Sequence, residues 1–215
     1  MNSLARPLRL FFCLLYHPLA WTYDLVAWVV SFGRWKDWVR SVTPFLEGTR
    51  ILELGHGPGH LQRSLLDLGL LPFGVDESPQ MGRLARTNLR QHGYTQIALT
   101  RGLAQALPYA NQTFDTVVST FPSEYIFDQR TLLEAYRTLK DGGRLVILPI
   151  AWITGKNALD RFLSWLFKVT GETPSEALEI IEQRLTQPVA NVGFEVEIRQ
   201  VEARASLLLV VLARK

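Results

Sequence analysis

The sequence predicts an α/β fold with a mostly parallel sheet, and three observations support this prediction. Between residues 48 and 150, short apolar runs typical of strands alternate with stretches typical of helices. The first apolar run ends in a glycine-rich turn, as a buried parallel strand does before a helix. The apolar fraction of 47% over 215 residues is enough for a substantial core, which argues against a disordered chain.

The elements are predicted in order along the chain. Residues 1–46 are rich in aromatic side chains and are predicted to form an N-terminal helical cap that is part of the same domain as residues 47–215. The predicted strands lie near 50–54, 71–75, 96–100, 114–119 and 144–149, with helices between them. A helix near 157–169 and two strand-like runs, 193–198 and 207–212, complete the chain.

The composition excludes several classes of site. The net charge of +3 permits an anionic partner, but no dense lysine and arginine run with interleaved aromatic residues is present, so we expect no nucleic-acid partner. Cys13 is the single cysteine, which rules out an intrachain disulfide and a multi-cysteine zinc site. No histidines and carboxylates have the spacing of metal ligands, so we predict no metal.

The N-terminal segment has two interpretations. The apolar stretch Leu10–Tyr23 falls short of the about 20 residues that a membrane-spanning helix needs. His17 and Pro18 interrupt it and no convincing cleavage site follows, so a secreted form is the minority interpretation. We therefore predict a cytoplasmic protein. Its first helices pack on the domain or lie peripherally at the inner face of a membrane.

The most informative segment is Arg50–His60, RILELGHGPGH. Its three glycines can take positive φ and let a ligand approach the backbone, and the helix after them presents free N–H groups at its start. A dinucleotide site has the spacing G-x-G-x-x-G. Here the spacing is G-x-G-x-G, and His60 stands where the dinucleotide pattern needs its third glycine.

Two carboxylates flank this glycine turn. Asp76 ends the next strand-like run, about 20 residues past the turn, where a carboxylate accepts hydrogen bonds from ribose hydroxyls. Glu53 lies just before the turn, where its charge would repel a pyrophosphate but would suit a ligand that carries an ammonium and a sulfonium. Together these features favour S-adenosylmethionine over a dinucleotide.

At these residues the sequence resembles the class I S-adenosylmethionine-dependent methyltransferases, and among them the ubiquinone/menaquinone-biosynthesis-type (methyltransferase type 11) group. The matches follow in order: the glycine turn, Asp76, the segment 102–108, the strand 114–119, and Leu139–Gly143, which reads LKDGG where the family has LKPGG. The resemblance covers about residues 48–150. It implies a Rossmann-like, seven-stranded, mostly parallel sheet with helices on both faces and an antiparallel last strand.

The resemblance also implies a cofactor site. The methionine end would lie on Glu53, Gly55, Gly57 and Gly59, and the ribose on Asp76. Further predicted contacts are Tyr23, His56, Glu77, Met81, Leu103, Ala104 and Thr120. Leu103 stands where related proteins often have an acid for the adenine amino group, and Glu77 where they have an apolar residue. Adenine recognition is therefore expected to rest on backbone and apolar contacts.

The implied activity is transfer of a methyl group from S-adenosylmethionine, with S-adenosylhomocysteine as the product, to a small apolar or lipid-like acceptor. Weak candidates for contact with the acceptor, or for a base, are Glu124, Tyr125 and His17. The six tryptophans lie only in the two segments that flank the alternating core. They pack the cap onto the sheet, or they wall an apolar pocket or meet lipid.

Other functions stay open at this point. The same cofactor site would serve a methyltransferase that acts on a macromolecule or on a phospholipid headgroup. A non-catalytic cofactor-binding or scaffold protein with the retained fold is an alternative of a different class, although the intact glycines and ribose acid argue against it. An NAD-dependent dehydrogenase is disfavoured by His60. Neither the acceptor atom nor the oligomeric state follows from the sequence.

Overall fold

The computed structural model describes residues 33–153 and 186–215. Its strands are β1 (Arg50–Leu54), β2 (Leu71–Asp76), β3 (Ala98–Arg101), β4 (Phe114–Thr120), β5 (Leu139–Ile153), β6 (Glu195–Glu202) and β7 (Ser206–Arg214). The helices of these ranges are α1 (Trp35–Arg40), α2 (His60–Asp67), α3 (Pro79–Gln91), α4 (Gln129–Thr138) and α5 (Gln187–Asn191). Short 3-10 helices span Thr43–Phe45 and Glu124–Phe127.

The seven strands form one sheet in the order β3-β2-β1-β4-β5-β7-β6. Strands β1 to β5 run parallel, and β7 is antiparallel to both β5 and β6. The predicted fold class, including the antiparallel last strand, is therefore confirmed. The strand order reverses at β1 and β4, because β2 and β3 lie on one side of this pair and β5 to β7 on the other. The carboxyl ends of β1 and β4 therefore border a crevice, which is where ligands bind in open α/β sheets.

Strand β5 is much longer than the predicted strand at 144–149. Its first residue, Leu139, already pairs with Phe114 of β4, and its last residues, 150–153, pair with the start of β7. Gly142 and Gly143 suggest a turn in isolation, since glycine disfavours strands. The pairing with β4 shifts register here, between Phe114 and Thr116, while the backbone of the glycine pair exchanges hydrogen bonds with Lys215 after β7. Regular pairing resumes at Arg144, so the strand continues through an irregularity.

The amino ends of the central strands are tied together by Asp115. Its Oδ2 accepts hydrogen bonds from the backbone N–H groups of Thr49 at 3.0 Å and Arg50 at 2.9 Å, and its Oδ1 pairs with Lys140 Nζ at 2.6 Å. A Cβ atom on Gly48 would lie 2.3 Å from the Cβ of Asp115. The lysine of the LKDGG segment thus joins β5 to the start of β1, at the opposite edge of the sheet from the crevice.

Helix α1 packs on the sheet through Trp38 and Val39, and Val42 follows the helix; all three side chains are buried. They belong to one apolar cluster with residues of α2 and of the central strands, so residues 35–42 share the core of the sheet domain. The predicted contacts at His17 and Tyr23 and the predicted helix near 157–169 lie outside the described residues. No helix within the two described ranges is both long enough and apolar enough to cross a membrane.

Candidate functional site

A cavity of about 410 Å³ opens at the carboxyl ends of β1, β2, β3 and β4. Its walls come from the glycine turn, the end of β2, the loop after β3 and the segment after β4. Sites for small ligands span roughly 300–1,000 Å³, so this cavity is of suitable size. The cavity lies in the crevice between the carboxyl ends of β1 and β4, where the strand order reverses.

Several of the predicted site residues come together on the wall of this cavity. These are Gly55, Gly57, Asp76, Glu77, Leu103, Ala104, Thr120 and Tyr125. They come from four separate loops, which the parallel strands bring to one edge. Leu103 is 52% exposed, so its apolar side chain is available at the rim.

The glycine turn leaves its backbone open to the cavity. Gly55 and Gly57 have φ values of 70° and 50°, the left-handed region that residues with a side chain rarely adopt. A Cβ atom built on Gly57 meets no heavy atom within 4 Å, so the missing side chain leaves free space at the cavity wall. A ligand in the cavity can therefore make direct contact with the backbone of the turn at Gly57.

Asp76 is held rigidly between the turn and α3. Its Oδ2 accepts a hydrogen bond from Gly57 N–H at 2.9 Å, and its Oδ1 accepts one from Ser78 N–H at 2.8 Å. A carboxylate oxygen can accept two hydrogen bonds, so each oxygen keeps capacity for a ligand hydroxyl. This arrangement suits the two hydroxyls of a ribose, and the carboxylate needs no rearrangement to receive them.

Glu53 lies beneath the turn and does not line the cavity. The side chain is 2% exposed, and Gln62 Nε2 donates a hydrogen bond to its Oε2 at 2.8 Å. Burial raises the pKa of Glu53 to about 8, against the lowering effect of the Gln62 hydrogen bond. The carboxyl group is therefore mainly protonated at pH 7, whereas the sequence predicted a negative charge at this position.

His56 also lies behind the turn, where it is 3% exposed. Burial lowers the pKa of its imidazole, against the attraction of Asp76 and a hydrogen bond to Gly57 O. Its Nδ1 lies 2.8 Å from that carbonyl oxygen, which can only accept, so Nδ1 carries the proton of the neutral ring. His56 thus stabilises the turn from the side away from the cavity.

Two further predicted contacts, Gly59 and Met81, are placed in the packing between the turn and α3. A Cβ atom on Gly59 would lie 3.1 Å from the Cβ of Ala85, and Met81 is fully buried. Neither residue lines the cavity. They allow α2 and α3 to pack closely together beside the glycine turn, so they support the site through packing.

Tyr125 joins the segment after β4 to the end of β1. Its hydroxyl lies 2.9 Å from Leu54 O and 2.7 Å from Ser119 Oγ, and Ser119 Oγ also lies 2.9 Å from Leu54 O. Two hydroxyl protons serve these three contacts, so Tyr125 and Ser119 can exchange hydrogen bonds by rotating their hydroxyl groups, with every heavy atom in place. Glu124, the neighbouring candidate, is exposed and does not line the cavity.

Asp128 and Arg130, which also line the cavity, were not predicted from the sequence, and Phe121 was predicted only as part of the segment 120–125 at the mouth of the site. Phe121 has a φ of 49°, a conformation that is unusual for an aromatic residue and that no sequence signal predicts. Asp128 caps α4 by accepting a hydrogen bond from Arg130 N–H at 2.9 Å. An aspartate just before a helical segment is a signal that identifies the helix start but not its place at the cavity.

Within residues 33–153 and 186–215, no group of three or more histidine, cysteine, aspartate or glutamate side chains is arranged to hold a metal ion. The ligand chemistry of the cavity is instead that of a nucleoside site. It combines an open glycine backbone, a carboxylate with spare hydrogen-bonding capacity and an apolar rim.

Comparison with known proteins gives consistent matches. The model of the ubiE/COQ5 methyltransferase family matches residues 13–174. A demethylmenaquinone methyltransferase of Thermobifida fusca is 33% identical over 162 residues, which cover 72% of this chain and 67% of that protein. A ubiquinone/menaquinone biosynthesis C-methyltransferase of Blochmanniella floridana is 30% identical over 150 residues, covering 66% of this chain and 59% of that protein.

Solved structures share the fold. A SAM-dependent methyltransferase from Aquifex aeolicus aligns with a TM-score of 0.58 at 19% identity, covering 84% of this chain and 92% of that one. At this identity the likeness supports the architecture alone. The two curated relatives extend beyond the matched region, since this chain covers only 59 to 67% of their length.

Proposed function

Because the chain belongs to the ubiE/COQ5 methyltransferase family, we propose that it transfers a methyl group from S-adenosylmethionine to a ring carbon of a small apolar acceptor of quinone type. Family membership agrees with the resemblance and the cofactor predicted from the sequence. The acceptor is proposed from the names of the relatives, which methylate menaquinone and ubiquinone precursors. The observation that carries the proposal is the cavity itself, which is lined by the Asp76 carboxylate at one place and by the aromatic ring of Phe121 at another.

The residues present fit the cofactor. We assign Asp76 to the ribose hydroxyls, because each of its oxygens retains a free acceptor site beside one backbone donor. Gly55 and Gly57 line the cavity and would receive the methionine end, which the lack of a side chain at Gly57 leaves room for. Leu103 and Ala104 at the rim would cover the adenine through apolar and backbone contacts. His17 and Tyr23 stay predictions from the sequence.

Glu53 is proposed to support the turn rather than to meet the cofactor directly. It is buried, it receives a hydrogen bond from Gln62, and it does not line the cavity. A neutral Glu53 adds no charge beside the turn, so the positive groups of the cofactor would be balanced mainly by Asp76 and by backbone carbonyls. Gly59, His56 and Met81 support the site in the same indirect way.

Bound S-adenosylmethionine supplies an activated methyl group on a sulfonium. The task of the protein is to align the acceptor with that methyl and to exclude water. Thr120 ends β4, Phe121 and Tyr125 follow it, and the three would position the acceptor at the cavity wall. The hydroxyl groups of a reduced quinone-type acceptor would supply electron density to the ring carbon that receives the methyl, and that carbon would release one proton in exchange.

The direct test has two stages. Calorimetry with S-adenosylhomocysteine measures the cofactor site, and methyl transfer from S-adenosylmethionine carrying a labelled methyl group to a reduced, short-chain demethylmenaquinone analogue measures the activity. We expect binding and labelled product with the parent protein, and a loss of both with Asp76→Ala. Absence of S-adenosylhomocysteine binding would sink the proposal. Binding without transfer to any quinol would favour the non-catalytic alternative.

Two other acceptors are separated by parallel assays. Phosphatidylethanolamine vesicles test a headgroup acceptor, and total RNA or protein fractions test a macromolecular one. Contact of the N-terminal segment with a membrane is proposed for delivery of a lipid-like acceptor. Vesicle flotation of the full chain and of a variant lacking residues 1–18 tests this contact. Equal flotation of the two would contradict it.

A further inference from the structure

Phe121 combines a strained backbone with a place on the cavity wall. It follows β4 directly and adopts a φ of 49°, which costs about 1–3 kcal/mol for a residue with a side chain. Its N–H donates a hydrogen bond to Leu148 O at 2.7 Å, which holds this conformation in place. Backbone strain of this kind persists where the surrounding structure enforces it, and such positions cluster at ligand sites.

The ring of Phe121 is supported from α1. Its centroid lies 4.5 Å from the Trp35 ring and 6.0 Å from the Trp38 ring, distances at which aromatic pairs are attractive. Trp38 is buried, while Phe121 and Trp35 are half-buried. We call Phe121, Trp35 and Trp38 the aromatic wall. The tryptophans restrict the Phe121 ring on one side and leave part of it accessible.

We infer that Phe121 is a specificity-determining residue, on which a flat apolar ring of the acceptor rests. The inference depends on the proposed function for the identity of that ring. Among the described residues that line the cavity, Phe121 and Tyr125 are the two aromatic ones, and the Tyr125 hydroxyl is committed to Leu54 and Ser119. Phe121 is therefore the aromatic side chain of the cavity without a polar group to satisfy.

The backbone conformation by itself does not favour a large residue at this position. At the end of a strand, a left-handed residue redirects the chain, and glycine or asparagine would do so with less strain. The contacts of the Phe121 ring with Trp35 and Trp38 offset part of this strain. Selection of an aromatic ring despite the strain fits a role in which the ring itself contacts a ligand.

The first test compares Phe121→Leu with Phe127→Leu. Phe127 is 39% exposed, lies on the 3-10 helix and does not line the cavity, so it is a matched control. We expect Phe121→Leu to raise the KM for the quinol analogue about tenfold, while affinity for S-adenosylhomocysteine changes less than about twofold. Phe127→Leu should change neither. An unchanged KM in Phe121→Leu overturns the inference.

A second measurement does not depend on methyl transfer. Oxidised 1,4-naphthoquinone accepts an electron from an excited tryptophan a few ångströms away and so quenches its fluorescence, and Trp35 and Trp38 both lie behind Phe121. We expect saturable quenching in the S-adenosylhomocysteine-bound protein, with a smaller signal in Trp35→Phe and an affinity about tenfold weaker in Phe121→Leu. Quenching without methyl transfer would retain the aromatic wall and reject the quinol acceptor. No saturable quenching in the parent overturns the inference.

A third variant, Phe121→Gly, separates loss of the aromatic ring from damage to the fold. Glycine takes the left-handed conformation without strain, so this variant removes the ring while relieving the backbone. We expect it to bind S-adenosylhomocysteine like the parent and to lose naphthoquinone quenching. A Phe121→Gly variant that binds naphthoquinone as tightly as the parent would contradict a role for the ring.

Discussion

A Cβ atom on Gly55 would lie 2.6 Å from the hydroxyl oxygen of Tyr125. The glycine turn after β1 and the segment after β4 therefore meet with no room for a side chain between them. The same hydroxyl contacts Leu54 O at 2.9 Å, one residue before the glycine. The proposed cofactor side and the proposed acceptor side of the cavity therefore meet at the Tyr125 hydroxyl, and a change in either one reaches the other.

Gly55→Ala is expected to destabilise the protein for two separable reasons. The left-handed φ costs about 1–2 kcal/mol with any side chain, and overlap with the Tyr125 hydroxyl adds about 1–3 kcal/mol. Urea unfolding measures the total. Adding Tyr125→Phe removes the overlapping oxygen, so the cost of Gly55→Ala should be smaller in that background by the overlap contribution. Equal costs in both backgrounds would show that the contact does not constrain the turn.

Asp76→Asn is expected to weaken S-adenosylhomocysteine binding by about tenfold or more. The amide keeps one oxygen acceptor but places an NH₂ group where the other carboxylate oxygen accepts from Gly57 or Ser78. Calorimetry measures the affinity. Asp141→Asn, at an exposed position away from the cavity, is the control and should bind like the parent. Unchanged affinity in Asp76→Asn would remove this residue from the cofactor site.

The prediction of the fold from the sequence was best where local pattern and tertiary environment agree. Strand β1 has the predicted bounds, 50–54, because an apolar run ended by glycine leaves few alternatives. Strand β5 was predicted too short, because Gly142 and Gly143 disfavour a strand locally and only the pairing with β4 and β7 overrides them. Strand pairing is a non-local property that a linear pattern does not contain.

The same distinction applies to the site. The positions of Gly57 and Asp76 on the cavity wall follow from strand ends, which the sequence indicates. The protonated state of Glu53 follows from burial among neighbours distant in sequence, so the sequence suggested a charge where the fold favours a neutral group. The conformation of Phe121 likewise depends on Leu148 and on α1, which no local motif encodes.

Asp115→Asn is expected to weaken the amino-terminal edge of the sheet and to change its response to acid. Burial alone would raise the pKa of Asp115, but hydrogen bonds from Lys140 and from two backbone N–H groups outweigh it and hold the pKa below its usual value. A depressed carboxyl pKa stabilises the fold above the unfolded value of 3.8, and this contribution is lost as the pH falls through the lower folded value.

Acid unfolding of the parent and of Asp115→Asn tests this assignment. The parent should lose stability relative to the variant as the pH falls below about 4. Asp141→Asn again serves as the control, because Asp141 is mostly exposed and its contacts are with the side chains of Lys215 and Gln112 at the surface. A parent and variant with parallel acid limbs would contradict a stabilising role for the carboxylate.

Glu53→Gln is expected to remove a loss of stability that the parent shows between about pH 4.5 and about pH 8. The unfolded chain releases the Glu53 proton near 4.5 and the folded chain near 8, so the folded state binds the extra proton between these values. The free energy of unfolding therefore falls as the pH rises through this window, by at most about 1.4 kcal/mol for each pH unit. Glutamine mimics the protonated side chain, and its oxygen can still accept from Gln62.

Urea unfolding of both proteins at about pH 5.5 and about pH 8.5 isolates the contribution of Glu53, since His56 is present in both. The variant should be the more stable of the two at the higher pH, and a constant difference across the window would mean that Glu53 keeps an ordinary pKa.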